Sequence, residues 1–449
     1  MRPFLIICRI FFLIIPGSIY SQQNAGKIFT LKELISYALQ NHNSIKNAHL
    51  NEDVTHLTVK INQADWWFPK ANITGSFQEY LQLPTSLSPN FSSGNLDERI
   101  TVSSANKYSS GVYGQIEQSI FNPDQLYSIK SSKIMASMAE KQTTQTQIET
   151  IENTIKAYYS IMMSKESIRL AQSNVSRAEK AVKDAQTAYN AGTGERVDLD
   201  RLKVSYNNSS NELTIAQRAL DYNMTLLHFA IGMDSKEELI LDDTSATINP
   251  ELLVLDSTAI NDRIERKIQQ DQIEANYMEM KRLKNGILPT VSAAINYGYD
   301  FMGQEFNTLY SNSGFNSSAL MLNVTIPVFT GTVRKKQIDQ AKLIIQQSEN
   351  ELTLLDQQIE VEQKEALTNY HNNLDTWKTQ EENLKLTTGT YERISQRYNN
   401  GIADGLDLVT ADNELKLAQN SYLSSYINAL ISMVDYEVST GGIAKWINK

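Results

Sequence analysis

The sequence YNAGTGERVDL at residues 189–199 returns as YNNGIADGLDL at residues 398–408, an offset of 209 residues. The spacing continues downstream, because the next matching glycine, Gly232 or Gly441, follows each turn glycine after 40 positions. A glycine after a long helical pattern is typical of the left-handed residue that ends a helix. The chain is therefore predicted to contain one large unit repeated in tandem, with a tight turn inside each copy.

Residues 1–21 have the composition of an export signal peptide. Arg2 supplies the positive charge, and an apolar run over 4–15 ends at Pro16. The run is shorter than the roughly 20 residues that a membrane-spanning helix needs. The only cysteine, Cys8, lies inside this segment, so the mature chain is expected to lack disulfides, thiolate metal sites and cysteine nucleophiles.

The charge and hydropathy of the chain argue against several classes of protein. The formal net charge is −10 and no basic stripe is present to neutralise phosphates, so no nucleic-acid partner is expected. The mean hydropathy is −0.37, and no apolar run after the signal is long enough for a transmembrane helix. Any membrane insertion must therefore use the strands of a closed barrel, because only helices and closed barrels satisfy their backbone polar groups in lipid.

A helix is predicted at the start of the first repeat. Thr30 and Glu33 have the spacing of a capping box, in which each side chain hydrogen-bonds the backbone N–H of the other residue. Apolar residues follow at helical spacing as far as Phe68, and Pro69 should stop the helix. Residues 30–68 are therefore expected to form one continuous helix.

Each repeat then has the same order of predicted elements: a strand, a polar loop, a second strand and a long helical hairpin around the glycine turn. In the first repeat, residues 28–233, these elements are placed at about 71–83, 84–110, 109–121 and 123–232. In the second repeat, residues 257–445, a helix at about 258–287 precedes strands at about 290–302 and 319–329, the loop 303–317 between them and a hairpin at about 331–440. The polar segment 234–256 is expected to lie apart from both repeats.

The four strands are predicted to cross a membrane as part of a shared barrel. Each has about ten residues and is apolar on one face only, which suits a strand tilted across a bilayer. A closed barrel needs about eight strands or more, so one chain cannot close it. Several chains must therefore contribute to one barrel.

The helical hairpins are predicted to be long and to pack as coiled coils. The segment 124–189 contains no proline or glycine, and one helix of this length would extend about 100 Å. The return helices carry apolar residues near every seventh position, as coiled-coil packing requires. These are Leu199, Leu202, Tyr206, Leu213, Leu220 and Leu227, and in the second repeat Leu408, Ala411, Leu415, Tyr422, Ala429 and Tyr436.

The duplicated order of elements resembles the TolC-type outer-membrane factor family over about residues 28–445. The resemblance rests on Pro69 and Pro289 before two strands, on Ile326-Pro327-Val328-Phe329, and on the two Tyr-x-x-Gly turns. It implies a mainly α chain with transmembrane β-strands: a homotrimer whose twelve strands, four per chain, form an outer-membrane barrel continued by a long periplasmic α-helical barrel. It also implies a passive exit duct of a tripartite efflux pump or a type I secretion system in a Gram-negative bacterium.

The resemblance further implies partners and site residues. The partners are a periplasmic adaptor protein and, through it, an inner-membrane transporter of the RND or ABC type, with outer-membrane lipid around the barrel. The tips on which the adaptor docks match Gly192, Thr193, Gly401 and Ile402. The periplasmic gate, with an acidic ring and the contacts that hold it shut, matches Asp407, Asp198, Tyr398 and Thr410.

The gate pattern departs from the family at two positions. Thr410 stands where the family has a second acidic ring, and Ala403 stands where some members have an arginine that pairs with the carboxylate. Arg196 or Arg201 could substitute for that arginine. A local explanation also exists for Asp198 and Asp407, since an acidic residue in the first turn of a helix favours the helix dipole.

Other functional interpretations have little support in the sequence. His42, His49 and His56 share a helix face, but residues seven apart are separated by about 10.5 Å along the axis, which is too far for one metal ion. Neither a metal nor a cofactor is expected, and the absence of a nucleotide-binding or nucleophile motif predicts no enzyme activity. The alternatives are a coiled-coil structural protein of the periplasm or cell surface without a channel, and a binding protein or enzyme.

Overall fold

The computed structural model describes residues 28–91, 97, 99–103, 105–242, 263–310, 314–443 and 447, so the predicted signal lies outside it. The strands are β1 (Ile28–Phe29), β2 (Lys70–Glu79), β3 (Thr85–Pro89), β4 (Arg99–Ser103), β5 (Tyr108–Phe121), β6 (Ile240–Leu241), β7 (Thr290–Gly303) and β8 (Phe315–Thr325). The helices are α1 (Leu31–Asn41), α2 (Asn43–Trp67), α3 (Pro123–Asn190), α4 (Arg196–Ile231), α5 (Ile264–Asn285), α6 (Val333–Asn399) and α7 (Gly405–Ser439).

Four strands form one antiparallel sheet in the order β2-β5-β7-β8. The sheet joins the two repeats, because β5 of the first pairs with β7 of the second. β8 ends four residues before the predicted 329. Its pairing with β7 stops at Thr290↔Thr325, next to Pro289 and Pro327, which have no N–H for a ladder hydrogen bond.

The sheet has two chemically different faces, because successive side chains of a strand point to opposite sides. One face carries exposed apolar side chains from all four strands: Ile73, Val112, Ile116, Ile295, Tyr297, Leu320, Leu322 and Val324. The other face carries polar side chains: Asn72, Thr74, Ser76, Gln115, Glu117, Asn296, Asp300 and Asn323. On the polar face, Tyr113 donates a hydrogen bond to Asp300 and its ring lies over Gly298, where a Cβ would collide with it.

The predicted polar loop 84–110 is wrong in part, because it contains a second hairpin. β3 and β4 pair in antiparallel fashion from Thr85↔Ser103 to Pro89↔Arg99. Leu87, Ile100 and Val102 supply the strand propensity, which the surrounding serine and asparagine residues conceal in the composition.

The predicted continuous helix 30–68 is wrong at His42. The capping box is present at its start, with Glu33 N–H donating to Thr30 Oγ1 at 3.3 Å. At His42 the backbone is extended, with φ −63° and ψ 127°, and this residue both ends α1 and begins α2. Gly232, at the end of α4, packs closely against this break, because a Cβ at Gly232 would lie 2.7 Å from the His42 Cα. The break is thus set by packing between distant parts of the chain, which local periodicity does not reveal.

The main core lies between the sheet and the tips. It packs α1 against α3, α4 and α7, with Leu34, Tyr158, Leu227 and Leu430 almost fully buried. β1 and β6 pair in parallel over this core, with Ile28 opposite Ile240.

The prediction that residues 234–256 lie apart from the repeats is wrong for 234–242. Leu239 and Leu241 are buried in the main core, because β6 must pair with β1. Residues 243–256, and the start of the helix predicted at 258–287, lie outside the described residues.

Two long hairpins complete the molecule. α3 has 68 residues and α6 has 67, so each extends about 100 Å. α3 packs along α4 and α6 packs along α7. Eight of the twelve predicted heptad positions are buried: Leu199, Leu202, Leu227, Leu408, Ala411, Leu415, Ala429 and Tyr436. The other four are only partly buried: Tyr206, Leu213, Leu220 and Tyr422. Within the described ranges, every helix is too short or too polar to cross a membrane.

Candidate functional site

The two glycine turns have nearly the same backbone geometry. Gly192 has φ 76° and Gly401 has φ 69°, both in the left-handed region. After the glycine, Thr193 N–H donates to Ala188 O at 3.0 Å, and Ile402 N–H donates to Arg397 O at 2.8 Å. A Cβ built on either glycine meets nothing within 4 Å. Glycine is therefore required here by the backbone angle and not by lack of space.

The tips present apolar side chains to solvent in the single chain. Ile402 is 66% exposed, Val197 55% and Leu406 50%. Val197 and Leu406 are equivalent positions of the two repeats, and the repeated motif alone predicted no role for either residue. An exposed apolar residue at the same place in both copies is the signal that could have found them.

Asp198 connects the tips of the two hairpins within one chain. Its side chain lies against Gly405 at the start of α7, where a Cβ would come within 2.7 Å of the Asp198 carboxyl carbon. The carboxylate also pairs with Arg201 at 3.4 Å. An acidic group at the N-terminus of α7 is favoured by the helix dipole, so Asp198 stabilises the end of a helix in the other repeat.

Tyr398 lies near the same carboxylate. Burial raises the pKa of the Tyr398 phenol, and the negative charges of Asp198 and Asp184 raise it further. The ring packs on a small apolar cluster that holds both hairpins together, built from Ala185, Leu199, Leu202 and Leu408. The structure therefore brings Asp198 and Tyr398 to one place between the two hairpins.

Asp407 and Thr410 lie apart from this contact, on the exposed side of the first turns of α7. The backbone N–H of Asp407 donates to Asp404 Oδ1 at 2.8 Å, so Asp404 caps the helix and the Asp407 side chain is left exposed. The two arginines considered as partners for Asp407 engage other carboxylates within the chain: Arg201 pairs with Asp198, and Arg196 with Asp200 at 3.5 Å.

A buried charged cluster lies further along the hairpins and was missed by sequence reasoning. Lys416 Nζ is 2.7 Å from Asp412 Oδ2 and donates to Ser209 Oγ on α4 at 2.7 Å. Arg177 on α3 lies 3.6 Å from Asp412 and stacks over the Tyr391 ring. The ion pair of Arg177 with Asp412 and the hydrogen bond of Lys416 to Ser209 therefore connect the two hairpins. No pattern signals them, because charged residues on a helix normally indicate a solvated face.

The three histidines have separate local partners. His42 Nδ1 accepts from Ser44 N–H, His49 pairs with Glu52 at 3.0 Å, and His56 pairs with Glu140 at 3.2 Å. Among the residues that the structure describes, no group of three or more His, Cys, Asp or Glu side chains could hold a metal ion.

Comparison with known proteins identifies the family. The model of the outer membrane efflux protein family matches residues 34–233 and 268–434, one segment in each repeat. The chain therefore belongs to the outer membrane efflux protein family. It is an outer-membrane efflux channel protein of a Gram-negative bacterium and extends into the periplasm.

Two relatives from Pseudomonas putida match nearly the whole chain. The probable efflux pump outer membrane protein SepC and the toluene efflux pump outer membrane protein TtgF are each 22% identical over 419 residues. In both cases the match covers 92% of this chain and 83% of the relative.

Solved structures share the fold. The transmembrane channel protein CusC superposes with a TM-score of 0.73 at 16% identity, covering 94% of this chain and 95% of CusC. The outer-membrane channel OprN gives 0.72 at 15% identity, covering 92% and 90%. The predicted fold class, mainly α with a four-stranded sheet in each chain, long helical hairpins and an internal repeat, is confirmed.

Proposed function

We propose that three copies of this chain form a passive exit duct of a tripartite efflux pump, opened at its periplasmic tips by an adaptor protein. The observation that carries the proposal is the two-faced sheet, whose apolar face suits lipid and whose polar face suits a water-filled lumen. The sheet order leaves β2 and β8 with one unpaired edge each. Unpaired backbone groups are too costly in lipid, so other chains must cover both edges.

The strand directions determine how copies join. All neighbours in the sheet are antiparallel, so β2 and β8 at the two edges run in opposite directions. Placing β8 of one copy beside β2 of the next continues the alternation and keeps all helices on one side of the membrane. Pairing β2 with β2 around a twofold axis would place the helices on opposite sides. Three copies then give a barrel of twelve strands, the number that the family resemblance implies.

The proposed gate lies at the tips. Around a threefold axis, Asp407 would form a ring of three carboxylates near the entrance, with Thr410 one turn further in. The contact of Asp198 with Gly405 and Tyr398 would hold the hairpins together in the resting state. The exposed apolar side chains of Ile402, Val197 and Leu406 supply a surface on which an adaptor could dock and separate the hairpins.

The partners follow from the position of the duct. A channel without an energy source needs an inner-membrane transporter, of the RND or ABC type, linked through the adaptor. The names of SepC and TtgF, both efflux pump outer membrane proteins, favour an efflux pump over a type I secretion system for this chain.

The test is reconstitution of the purified protein. Chemical crosslinking in mild detergent should give a three-chain species, and the same preparation should conduct ions in a planar bilayer. A monomer of the same helix content that does not conduct would contradict the proposal and would favour the coiled-coil structural protein.

A further inference from the structure

We propose that a basic collar at the periplasmic end of the sheet binds anionic phospholipid headgroups of the inner leaflet of the outer membrane. The collar is made of Lys281 and Lys284 at the end of α5 and of Arg334, Lys335 and Lys336 at the start of α6. The proposal rests on the membrane orientation given under the proposed function, and it names a ligand class that this function does not require.

The collar directly follows an apolar segment on the chain. β8 ends at Thr325, and the next residues expose Val328 at 91% and Phe329 at 85% before α6 begins. At the end of α5 the cations come before the apolar residue. Exposed Ile287 follows Lys281 and Lys284 on the chain and precedes β7. Apolar side chains beside cations, just outside a membrane-spanning strand, form the arrangement that suits the boundary between acyl chains and headgroups.

The position of Lys335 and Lys336 is not explained by helix stability. The first turn of α6 contains no acidic residue, and cations at a helix N-terminus oppose the helix dipole. Arg334 does have a local role, because its guanidinium lies against Gly286 at the end of α5, where a cation is favourable. Lys335 and Lys336 are exposed, and the C-terminal end of a helix does not stabilise their charges in this way.

Intramolecular ion pairs do not account for the lysines either. Within the described part of the chain, none of Lys281, Lys284, Lys335 and Lys336 has a carboxylate within salt-bridge distance. The nearest acidic residue on α6, Asp339, pairs with Lys342 at 3.0 Å. The charges of Lys335 and Lys336 also help to lower the pKa of Asp339, but one carboxylate already paired with Lys342 does not neutralise both lysines.

The first repeat differs at the equivalent height, where charges are paired. Lys70 pairs with Asp65 at 2.5 Å, and Asp124 at the start of α3 forms an ion pair with Arg282 at 2.9 Å. The first turn of α3 therefore carries an acidic residue, whereas the start of α6 carries three consecutive cations.

An anionic headgroup is the partner that the charge favours. The whole chain carries a net charge of −10, so it has no general attraction for a negative membrane surface. Attraction must come from a local patch, and clustered Lys and Arg beside a membrane-spanning element are typical of binding to anionic lipid. Three copies of the chain would place three such collars around the barrel.

The test compares the wild-type trimer with the double variant Lys335→Gln/Lys336→Gln. Each is purified in mixed micelles containing phosphatidylglycerol and phosphatidylcholine, and bound lipid is counted by native mass spectrometry. The wild type should retain phosphatidylglycerol selectively, and the double variant should lose roughly fivefold in affinity for each charge removed. The matched control is Lys364→Gln/Lys385→Gln, which removes two exposed lysines from the same helix far from the sheet and should behave as wild type.

Three results would overturn the proposal. The first is equal retention of both lipids by the wild type, and the second is unchanged selectivity in the double variant. The third is dissociation of the double-variant trimer in phosphatidylcholine alone, since the lysines would then pair with acidic residues of a neighbouring copy. A wild type that neither trimerises nor conducts in any lipid would instead count against the proposed function.

Discussion

Gly405 is a residue at which the two hairpins approach closely, because its Cα faces the Asp198 side chain. A methyl group there would collide with the Asp198 side chain, and overpacking of this kind costs about 1–3 kcal/mol. Gly405→Ala is therefore expected to separate the tips and to raise the resting conductance of the reconstituted channel in a planar bilayer.

Gly389→Ala provides the control for this variant. Gly389 lies within α6, and only the flexible end of Arg393 approaches a Cβ built there, at 3.5 Å. This variant should keep the wild-type conductance. If Gly405→Ala also does so, the contact between Asp198 and Gly405 does not hold the channel closed.

The buried pair of Asp412 and Lys416 predicts an unequal effect of single and double substitutions. Asp412→Ala leaves Lys416 buried beside Arg177 without its carboxylate, which should cost about 3–5 kcal/mol of stability. Replacing the pair together, as Asp412→Leu with Lys416→Met, removes the uncompensated charge and should cost less. Loss of the helical circular dichroism signal with denaturant measures both. A double variant less stable than the single one would contradict this account.

At the scale of elements, the glycine turns provide the most direct test of docking. Valine is strained at positive φ, so Gly192→Val with Gly401→Val should distort both turns. Export should fail while crosslinking still detects the trimer. Asparagine tolerates the left-handed region, so Gly192→Asn with Gly401→Asn is the matched control and should export. Normal export by the valine variant would exclude the turns from the mechanism.

The elements that sequence reasoning found are those with local signals. The glycine turns, the long helices and the alternating strands each follow from periodicity or from a residue with special backbone freedom. The pairing of β1 with β6 was missed, because two-residue strands acquire their structure only from partners distant in sequence. The break at His42 was missed for the same reason, since the end of α4 presses on it.

The candidate site was predictable to a similar degree. The repeat and the resemblance to a family predicted the tips and a shared place for Asp198 and Tyr398, and the structure brings these two residues near each other. Gly405 was not singled out, because its role depends on the side chain that faces it from the other hairpin.

At the scale of the whole molecule, the proposed acidic ring would be a property of the assembly. Three Asp407 carboxylates near one axis would attract cations and repel one another. Asp407→Asn is expected to reduce cation selectivity and block by divalent cations in planar bilayers. Asp375→Asn, an exposed substitution on α6 far from the tip, is the control and should leave both unchanged. If Asp407→Asn leaves selectivity and block intact, Asp407 serves only the start of α7.

The two uncovered edges of the sheet also bear on how the protein reaches its membrane. A solitary chain would carry two open rows of N–H and C=O groups into the acyl region, so insertion before assembly is disfavoured. Newly exported subunits must then be kept from the bilayer, and from pairing with unrelated strands, until partners arrive. The yield of inserted protein should therefore depend steeply on the concentration of subunits. When little of the protein is synthesised, unassembled chains should remain outside the membrane and be degraded by proteases.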